Sequence, residues 1–269
     1  MVRDAAAFVD FSGKTVIVTG GTAGIGEGCT RLFASAGANV VFCARRAQAG
    51  EQLKEELSKQ YCEEKITFVQ CDVELEDNII NVINTTIQKY GSLHSIINNA
   101  GYHPPEEKID DISGKMFNEL IHLNLTSIFL FCKYSLPHLR KTRGTIVNMS
   151  SWVGEAGQKY ACRYVATKSG IIGLTKALAV DEGENGVRVN CVLPGSIETP
   201  LTEDYFSKME DPERARQIIG ACSQLGRLGT IEETGAVCLF LASDMSAFMT
   251  GCAISVSGGA ELAFGLKQY

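Results

Sequence analysis

Tyr164 and Lys168 lie four residues apart, in the run Tyr-Val-Ala-Thr-Lys. Because residues i and i+4 share one face of a helix, this spacing places a phenol beside an ammonium group. A phenol titrates near about pH 10, and a cation held within a few ångströms favours the phenolate and lowers that pKa. The pair therefore predicts a general acid/base unit that exchanges protons near neutral pH.

Two other features of the chain could complete such a site. Ser150 and Ser151 end a strand-like run over residues 145–149. Residues 19–26 read T-G-G-T-A-G-I-G, after a β-branched run and before a helix-like segment. A strand, a glycine turn and a helix form the context of a dinucleotide phosphate site, because glycine admits the pyrophosphate and the helix N-terminus offers free N–H groups.

Strand-like and helix-like segments alternate along the whole chain. The strand-like runs are apolar rather than alternating, which is typical of strands buried on both faces of a parallel sheet. This pattern predicts one α/β domain with a doubly wound Rossmann sheet of seven mostly parallel strands. The predicted strands are 14–19, 39–43, 66–71, 94–98, 145–149, 187–193 and 253–256. The predicted helices are 24–36, 47–60, 76–90, 114–140, 162–183, 202–219 and 231–242.

The motifs occur in a characteristic order. After the glycine turn come Asn98-Asn99-Ala100-Gly101, Asn124, Ser151, Tyr164-x-x-x-Lys168 and Pro194-Gly195. In this order the chain resembles the short-chain dehydrogenase/reductase family over nearly all of residues 1–269. Among its members it is similar to hydroxysteroid dehydrogenases, in His103-Pro104-Pro105 and in the segment 258–262. The resemblance implies a cofactor half near 1–150 and a catalytic and substrate half near 151–269.

The resemblance implies hydride transfer between a nicotinamide cofactor and a secondary alcohol or ketone. Tyr164 would exchange the proton on the substrate oxygen, and Ser151 would position that oxygen. Lys168 would lower the pKa of Tyr164 and bind the ribose. The amide of Asn124 would interrupt its helix and hold a water linked to Lys168. Ser150 is the rival of Ser151, but the thirteen-residue step from Ser151 to Tyr164 matches the family better.

The cofactor site is predicted to prefer NADP(H). An acidic residue after the second strand selects NAD, whereas this chain has Cys43-Ala44-Arg45-Arg46 there. Arginine suits a 2′-phosphate, although one of the two could simply begin a solvated helix, and NAD(H) remains the alternative. The resemblance implies that the Asp72 side chain and the Val73 backbone hold the adenine, although Asp72 could instead cap a helix. The predicted cofactor residues are Gly20, Thr22, Gly24, Ile25, Gly26, Arg45, Arg46, Asp72, Val73, Asn99, Ala100, Gly101, Tyr164, Lys168, Pro194, Gly195, Ile197 and Thr199.

The substrate side leaves two interpretations open. Apolar residues between 201 and 222 favour a mobile lid over a steroid-like, lipid-like alcohol or ketone. Polar groups such as Gln158 and Glu155 favour a small polar substrate, for example a sugar, polyol or quinone. Because Ser151, Tyr164 and Lys168 are all present, a non-enzymatic dinucleotide-binding regulator is disfavoured. The predicted substrate residues are His103, Ser151, Trp152, Gln158, Tyr164 and Tyr205.

Composition excludes several classes of protein. The net charge of −6, without a basic block, argues against nucleic acid as a partner. Residues 1–10 do not form a signal peptide, and no apolar run is long enough to cross a bilayer. The ten cysteines are scattered without C-x-x-C spacing, and the four histidines are isolated. These features predict reduced thiols, a cytoplasmic enzyme and no metal site.

The helix predicted near residues 116–139 has an apolar surface wider than the single stripe that would face the core. Wide apolar faces are typical of subunit contacts. The family commonly pairs this helix and its neighbour across a two-fold axis, and the resemblance also places residues 258–269 near a subunit contact. The sequence therefore predicts a homo-oligomer, specifically a tetramer. The apolar residues of this helix include Leu120, Leu123, Ile128, Phe129 and Phe131.

Overall fold

Seven parallel strands form one sheet in the computed structural model of the protein, which describes residues 9–262. Their order across the sheet is β3-β2-β1-β4-β5-β6-β7, so the chain winds outward from β1 in both directions. The predicted seven-stranded, doubly wound sheet is thereby confirmed. The strands are β1 Thr15–Thr19, β2 Asn39–Ala44, β3 Ile66–Gln70, β4 Ser95–Asn98, β5 Thr145–Met149, β6 Arg188–Pro194 and β7 Ala253–Val256.

Helices cover both faces of this sheet. On one face α1, α2 and α10 pack over a core that includes Phe33, Phe42 and Leu239. On the other face α3, α5 and α7 pack over a core that includes Ile96 and Phe131. Each fully buried side chain of this size contributes roughly 1.5–3 kcal/mol. The α-helices are α1 Gly24–Ser35, α2 Ala47–Gln60, α3 Glu76–Tyr90, α4 Gly114–Ile121, α5 Ser127–Thr142, α6 Val153–Ala156, α7 Cys162–Glu182, α8 Pro200–Ser207, α9 Pro212–Ala221 and α10 Ile231–Ala242.

The single helix predicted over 114–140 is interrupted. A five-residue π-helical segment, His122–Thr126, separates α4 from α5 and contains Asn124. Such segments widen the backbone ladder by one residue per turn and are frequent at functional sites. The interruption agrees with the expectation that Asn124 breaks the regular ladder of its helix.

The single helix predicted over 202–219 is also wrong, because this region contains two helices. α8 ends at Ser207, and α9 begins at Pro212. The side chain of Asp211 caps α9 by accepting the N–H of Arg214 at 2.9 Å. Proline is favoured in the first turn of a helix but prevents the helix from continuing through it.

Some expectations fall at the ends of the chain. The signal-peptide expectation concerns residues 1–10, of which 1–8 lie outside the described residues, as do residues 263–269 of the C-terminal segment. Within residues 9–262, no helix combines the length and the apolar character needed to cross a membrane. All ten cysteines are free thiols, and six of them are buried.

Candidate active site

The turn between β1 and α1 has the shape of a phosphate-binding loop. Gly20 has a φ of +65°, a conformation that favours glycine. A Cβ on Gly26 would lie only 2.2 Å from the carbonyl oxygen of Gly20, so the turn has no room for a side chain there. The N-cap residue of α1 is Ala23, which offers no side-chain acceptor to the first-turn N–H groups. These groups are therefore free to bind a pyrophosphate.

Thr19 joins this turn to the loop after β4. Its hydroxyl oxygen accepts the N–H groups of Asn99, at 2.9 Å, and of Ala100, at 3.0 Å. The Asn99 amide in turn donates to the Thr19 carbonyl at 3.0 Å. The two loops thus form one rigid wall. The predicted residues Asn99, Ala100 and Gly101 line the cleft together with the glycine turn.

The adenosine end of the cleft is basic. Ala44, Arg45 and Arg46 line it, and both arginines are exposed. Neither guanidinium is ion-paired with a carboxylate of residues 9–262. Arg46 is the N-cap residue of α2, whereas the Arg45 backbone is fixed by the amide of Gln70 at 3.0 Å. One of the two arginines, Arg46, therefore does begin a helix, as the alternative expected.

Asp72 lies in a turn after β3. Its carboxylate accepts the N–H of Glu74 at 3.1 Å, while its neighbours Cys71 and Val73 line the cleft. The alternative of a helix cap does not hold, because the N-cap residue of α3 is Leu75. The structure therefore shows Asp72 shaping the turn that presents Val73 to the cleft.

The loop after β6 closes the nicotinamide end. Pro194, Gly195, Ile197 and Thr199 all line the cleft. The Thr199 hydroxyl caps α8, since its oxygen accepts the N–H of Thr202 at 3.2 Å. Thr199 also lies against the glycine turn, because a Cβ on Gly24 would be 3.3 Å from its methyl group. This contact joins the loop after β6 to the glycine turn.

The catalytic residues predicted from the sequence meet on the floor of the cleft. Tyr164 and Lys168 lie on α7, and Ser151 lies near enough to Tyr164 that its hydroxyl lowers the pKa of the phenol. The Lys168 ammonium is buried and donates to the Met149 carbonyl at 2.9 Å. Its nitrogen is 5.5 Å from the centre of the Tyr164 ring. The i, i+4 spacing therefore does place the two groups on one face of a helix.

The pKa shifts of this pair differ from the expectation that Lys168 lowers the pKa of Tyr164. Burial raises the pKa of Tyr164 to about 12, although the hydrogen bond from Ser151 works in the opposite direction. Burial also lowers the pKa of Lys168 to about 8. The physical reason is desolvation of both charged forms, together with the direction of the ammonium toward the Met149 carbonyl.

The hydroxyl of Ser150 is engaged in a hydrogen bond with the backbone of α7. This hydroxyl donates to the backbone carbonyl of Lys168 at 2.7 Å and is buried. This bond ties the end of β5 to α7, at the level of the catalytic lysine. Of the two serines, Ser151 is the one whose side chain affects the pKa of the Tyr164 phenol.

Asn124 connects three parts of the site. Its amide donates to the Tyr102 carbonyl at 2.9 Å and to the Thr167 hydroxyl at 3.3 Å. Its own carbonyl oxygen accepts the N–H of Tyr102 at 2.9 Å. The side chain is thus committed to holding the loop after β4 against α7. The predicted water contact toward Lys168 stays a prediction.

The substrate wall carries a polar pair beside the catalytic tyrosine. The His103 ring packs on the Tyr164 ring with 4.1 Å between centres. His103 Nε2 is 3.1 Å from Gln158 Oε1, and its Nδ1 is 2.6 Å from the Pro104 carbonyl. Trp152 packs on the small core around Leu193. This arrangement offers hydrogen-bonding groups within reach of the predicted reacting oxygen.

All these elements line one cleft with a volume of about 880 Å³. Its size suits a dinucleotide together with a small substrate. Gly26, Asp72 and Asn124 support the cleft through the contacts described above. The other predicted site residues line it directly: Gly20, Thr22, Gly24, Ile25, Arg45, Arg46, Val73, Asn99, Ala100, Gly101, His103, Ser151, Trp152, Gln158, Tyr164, Lys168, Pro194, Gly195, Ile197, Thr199 and Tyr205.

Sequence reasoning missed several contacts of this site. It did not assign Thr19 to the loop after β4 or the Met149 carbonyl to Lys168. It also missed the ion pair between Glu107 and Arg163, which lie 56 positions apart. Thr19 belongs to the glycine motif, so its place after a buried strand was the one available signal.

We predict that Lys168→Met raises the free energy of unfolding at pH 7 by about 1–3 kcal/mol while it damages turnover and cofactor affinity. The pKa of Lys168 falls from its ordinary 10.5 to about 8 on folding, so the folded protein disfavours the charged form. At about 1.4 kcal/mol per pH unit this difference amounts to roughly 3 kcal/mol, less the lost hydrogen bond to Met149. Methionine keeps the length and removes the charge.

The direction of the Lys168 pKa shift determines the pH range over which its effect on stability changes. A lysine with a depressed folded pKa opposes folding below about pH 8, and this cost disappears as the pH rises toward 10.5. The advantage of Lys168→Met should therefore shrink over that window, as measured by urea unfolding. Lys176→Met, on the exposed side of the same helix, is the matched control. Lower stability of Lys168→Met than of wild type at pH 7 would contradict this explanation.

Fold and site together define a nicotinamide-dependent oxidoreductase that acts on a CH–OH group. A family profile described as enoyl-(acyl carrier protein) reductase matches residues 20–261. L-fucose dehydrogenase from Mus musculus is 44% identical over 263 residues, covering 97% of this chain and 93% of that protein. A 3-oxoacyl-[acyl-carrier-protein] reductase FabG from Chlamydia muridarum is 36% identical, covering 91% of this chain and 96% of that protein.

A solved structure agrees with these relatives. The aldohexose dehydrogenase of Thermoplasma acidophilum superposes with a TM-score of 0.86 at 29% identity, over 98% of this chain and 99% of that one. The chain belongs to the short-chain dehydrogenase/reductase family, as predicted from its motifs. None of these proteins is named as 17-beta-hydroxysteroid dehydrogenase type 14, the member to which the sequence motifs had suggested the nearest similarity.

Proposed function

We propose that this protein oxidises a hydroxyl-bearing carbon of a sugar or sugar-like polyol, with NADP⁺ as the preferred cofactor. The observation that carries the substrate class is the likeness to L-fucose dehydrogenase over 97% of the chain, at 44% identity. The polar pair of His103 and Gln158, beside Tyr164, supports it, because a sugar presents several hydroxyl groups next to the reacting carbon.

Each residue of the site has a separate role in the proposed reaction. A nicotinamide cofactor bound in the cleft would supply the hydride chemistry. Tyr164 exchanges the proton of the substrate oxygen, and Ser151 holds that oxygen with a hydrogen bond. During oxidation the phenolate form of Tyr164 takes the hydroxyl proton, and the Lys168 ammonium, 5.5 Å from the ring centre, is a cation available to stabilise that phenolate once it turns from the Met149 carbonyl. His103 and Gln158 orient the substrate through neighbouring hydroxyl groups.

The sequence expectation of a steroid-like substrate is not what the relatives support. The lid supplies apolar groups, since Leu201, Met209 and Ile219 line the cleft with Tyr205. The opposite wall supplies the polar pair. A pyranose fits both walls, because its ring has one apolar face and a rim of hydroxyl groups, and Trp152 offers an aromatic surface for that face.

A matrix of substrates and cofactors tests this proposal. Purified protein is assayed with L-fucose, other aldoses, polyols and steroid secondary alcohols, each with NADP⁺ and NAD⁺. The expected result is a kcat/KM for at least one sugar that exceeds that of every steroid by about tenfold or more. A steroid that exceeds all sugars by the same factor would restore the steroid-like interpretation and overturn this one.

We also predict a tetramer. Phe129 on α5 is 48% exposed and Val180 on α7 is 81% exposed, and both helices cover the same face of the sheet. Burying such residues between subunits would stabilise an oligomer. Light scattering at micromolar concentration should give nearly four times the 29.1 kDa of one chain. Val180→Glu should lower that mass, whereas a wild-type mass of one chain would refute the prediction.

We place the enzyme in a reducing compartment such as the cytoplasm. The ten cysteines are all free thiols, and Cys162 and Cys222 are exposed. Exposed thiols persist where glutathione and thioredoxin keep them reduced.

A further inference from the structure

Two loops of the substrate wall are fastened to each other away from the reacting groups. The first follows β4 and carries His103, and the second precedes α7 and carries Gln158. The N–H of Glu107 donates to the Tyr160 carbonyl at 2.8 Å. The Glu107 carboxylate accepts a hydrogen bond from the guanidinium of Arg163. Together with the contact between His103 and Gln158, the first loop is held at three points, two on the second loop and one on α7.

The ion pair at this junction is protected from water. The side chain of Arg163 is only 12% exposed, and that of Glu107 is 33% exposed. A charge-assisted bond in such surroundings is stronger than one between fully exposed side chains. Arg163 lies in the first turn of α7, one residue before Tyr164. The pair therefore connects the His103 loop to the helix turn that carries the catalytic tyrosine.

The backbone of the second loop adopts an unfavourable conformation at the same junction. Tyr160 has a φ of 58°, in the left-handed region that side-chain-bearing residues avoid. Its carbonyl is the acceptor for Glu107. Strained residues of this kind persist where the surrounding contacts determine the conformation, and they cluster at functional sites.

The hydrogen bonds of His103 show what this junction positions. The Pro104 carbonyl can only accept, so His103 Nδ1 carries a proton and donates to it. The unprotonated Nε2 of the neutral ring then needs a donor, and the Gln158 carboxamide supplies one when its NH₂ group, rather than its oxygen, faces the ring. One polar group of the Gln158 carboxamide pairs with the His103 ring. The other polar group is left to hydrogen-bond a ligand in the cleft, which both residues line. The distance between the two loops therefore sets where a substrate hydroxyl can be bound.

We propose that Glu107 and Arg163 are positioning residues, which hold the wall formed by His103 and Gln158 at a fixed distance from Tyr164 and so determine substrate affinity. This inference rests on the proposed function for the nature of the substrate. Neither residue touches the reacting atoms. Both act through the two loops, and the loss of either charge lets the His103 loop move away from α7.

The experiment compares wild type with Glu107→Gln and Arg163→Met, which remove one charge each and keep most of the side-chain shape. Arg163→Lys is the conservative variant. Glu56→Gln is the matched control, because Glu56 on α2 pairs with Arg31 on α1 and neither residue lines the cleft. The measurements are kcat and KM for the preferred substrate, KM for the cofactor, and amide hydrogen exchange by mass spectrometry.

We expect the substrate KM to rise about tenfold in Glu107→Gln and Arg163→Met, because misplaced positioning groups can cost up to about 100-fold. The cofactor KM should stay within about twofold, and Arg163→Lys should recover most of the loss. Hydrogen exchange of residues 102–112 should accelerate in the two charge-removing variants but not in Glu56→Gln. A purely structural pair would instead change kcat and both KM values together.

The outcomes separate this inference from the proposed function. If wild type turns over no sugar, the proposed function fails, and the same comparison is made with the secondary alcohol that it does use. If wild type uses a sugar but the variants keep its KM, the positioning role fails while the proposed function stands. Unchanged hydrogen exchange in the His103 loop overturns the inference in either case.

Discussion

Tyr164→Phe should lower kcat by about 100- to 10,000-fold, the usual range for loss of a general acid or base. Phenylalanine keeps the ring, so its packing against His103 should survive. It removes the phenol hydroxyl whose pKa the Ser151 side chain lowers. The expected loss is therefore in the proton transfer and not in the shape of the cleft.

Cofactor binding gives the control for this variant. Trp152 is the single tryptophan of the chain and lines the cleft, so its fluorescence can report binding of the cofactor. Tyr164→Phe should bind NADPH within about threefold of wild type. Tyr61→Phe, at the exposed end of α2, is the matched substitution outside the site. A Tyr164→Phe enzyme that keeps more than half of the wild-type turnover, with chemistry rate-limiting, would remove Tyr164 from the mechanism.

The second large effect concerns the cofactor. We predict that NADP(H) is preferred over NAD(H) and that Arg45 is the main discriminator. The 2′-phosphate adds a dianionic group beside the end of β2, where the Arg45 guanidinium is exposed and no carboxylate competes. One charge-assisted hydrogen bond contributes about 1.5–3 kcal/mol. That energy corresponds to roughly a 10- to 100-fold preference.

Three variants distinguish the contributions of this segment. Arg45→Ala should lose most of the preference in kcat/KM. Arg46→Ala should lose less, because Arg46 caps α2 with its backbone. Ala44→Asp should reverse the preference toward NAD(H), since a carboxylate there would repel the phosphate and accept the ribose hydroxyls. If wild type already favours NAD(H) and Arg45→Ala leaves the ratio unchanged, both arginines are surface residues without a role in selection.

Much of the fold could be predicted from local sequence alone. The apolar, β-branched runs identified all seven strands within one residue at each end. Such runs are buried on both faces of a parallel sheet and need no information from distant residues to be found. The helix predicted over 202–219 failed for the opposite reason, because a local stop signal at Asp211-Pro212 was read as part of one helix. The π-helical segment at Asn124 depends on contacts with Tyr102 and Thr167, which local periodicity does not encode.

The same division applies to the site. Spacing along the chain is enough to place Tyr164 and Lys168 on one helix face and a glycine turn before α1. Tertiary structure alone decided the surroundings of these groups. Burial raises the pKa of Tyr164 and lowers that of Lys168, and the Met149 carbonyl accepts a hydrogen bond from the Lys168 ammonium. Desolvation and hydrogen bonds between residues far apart in sequence depend on which chain segments pack together, and spacing does not contain that information.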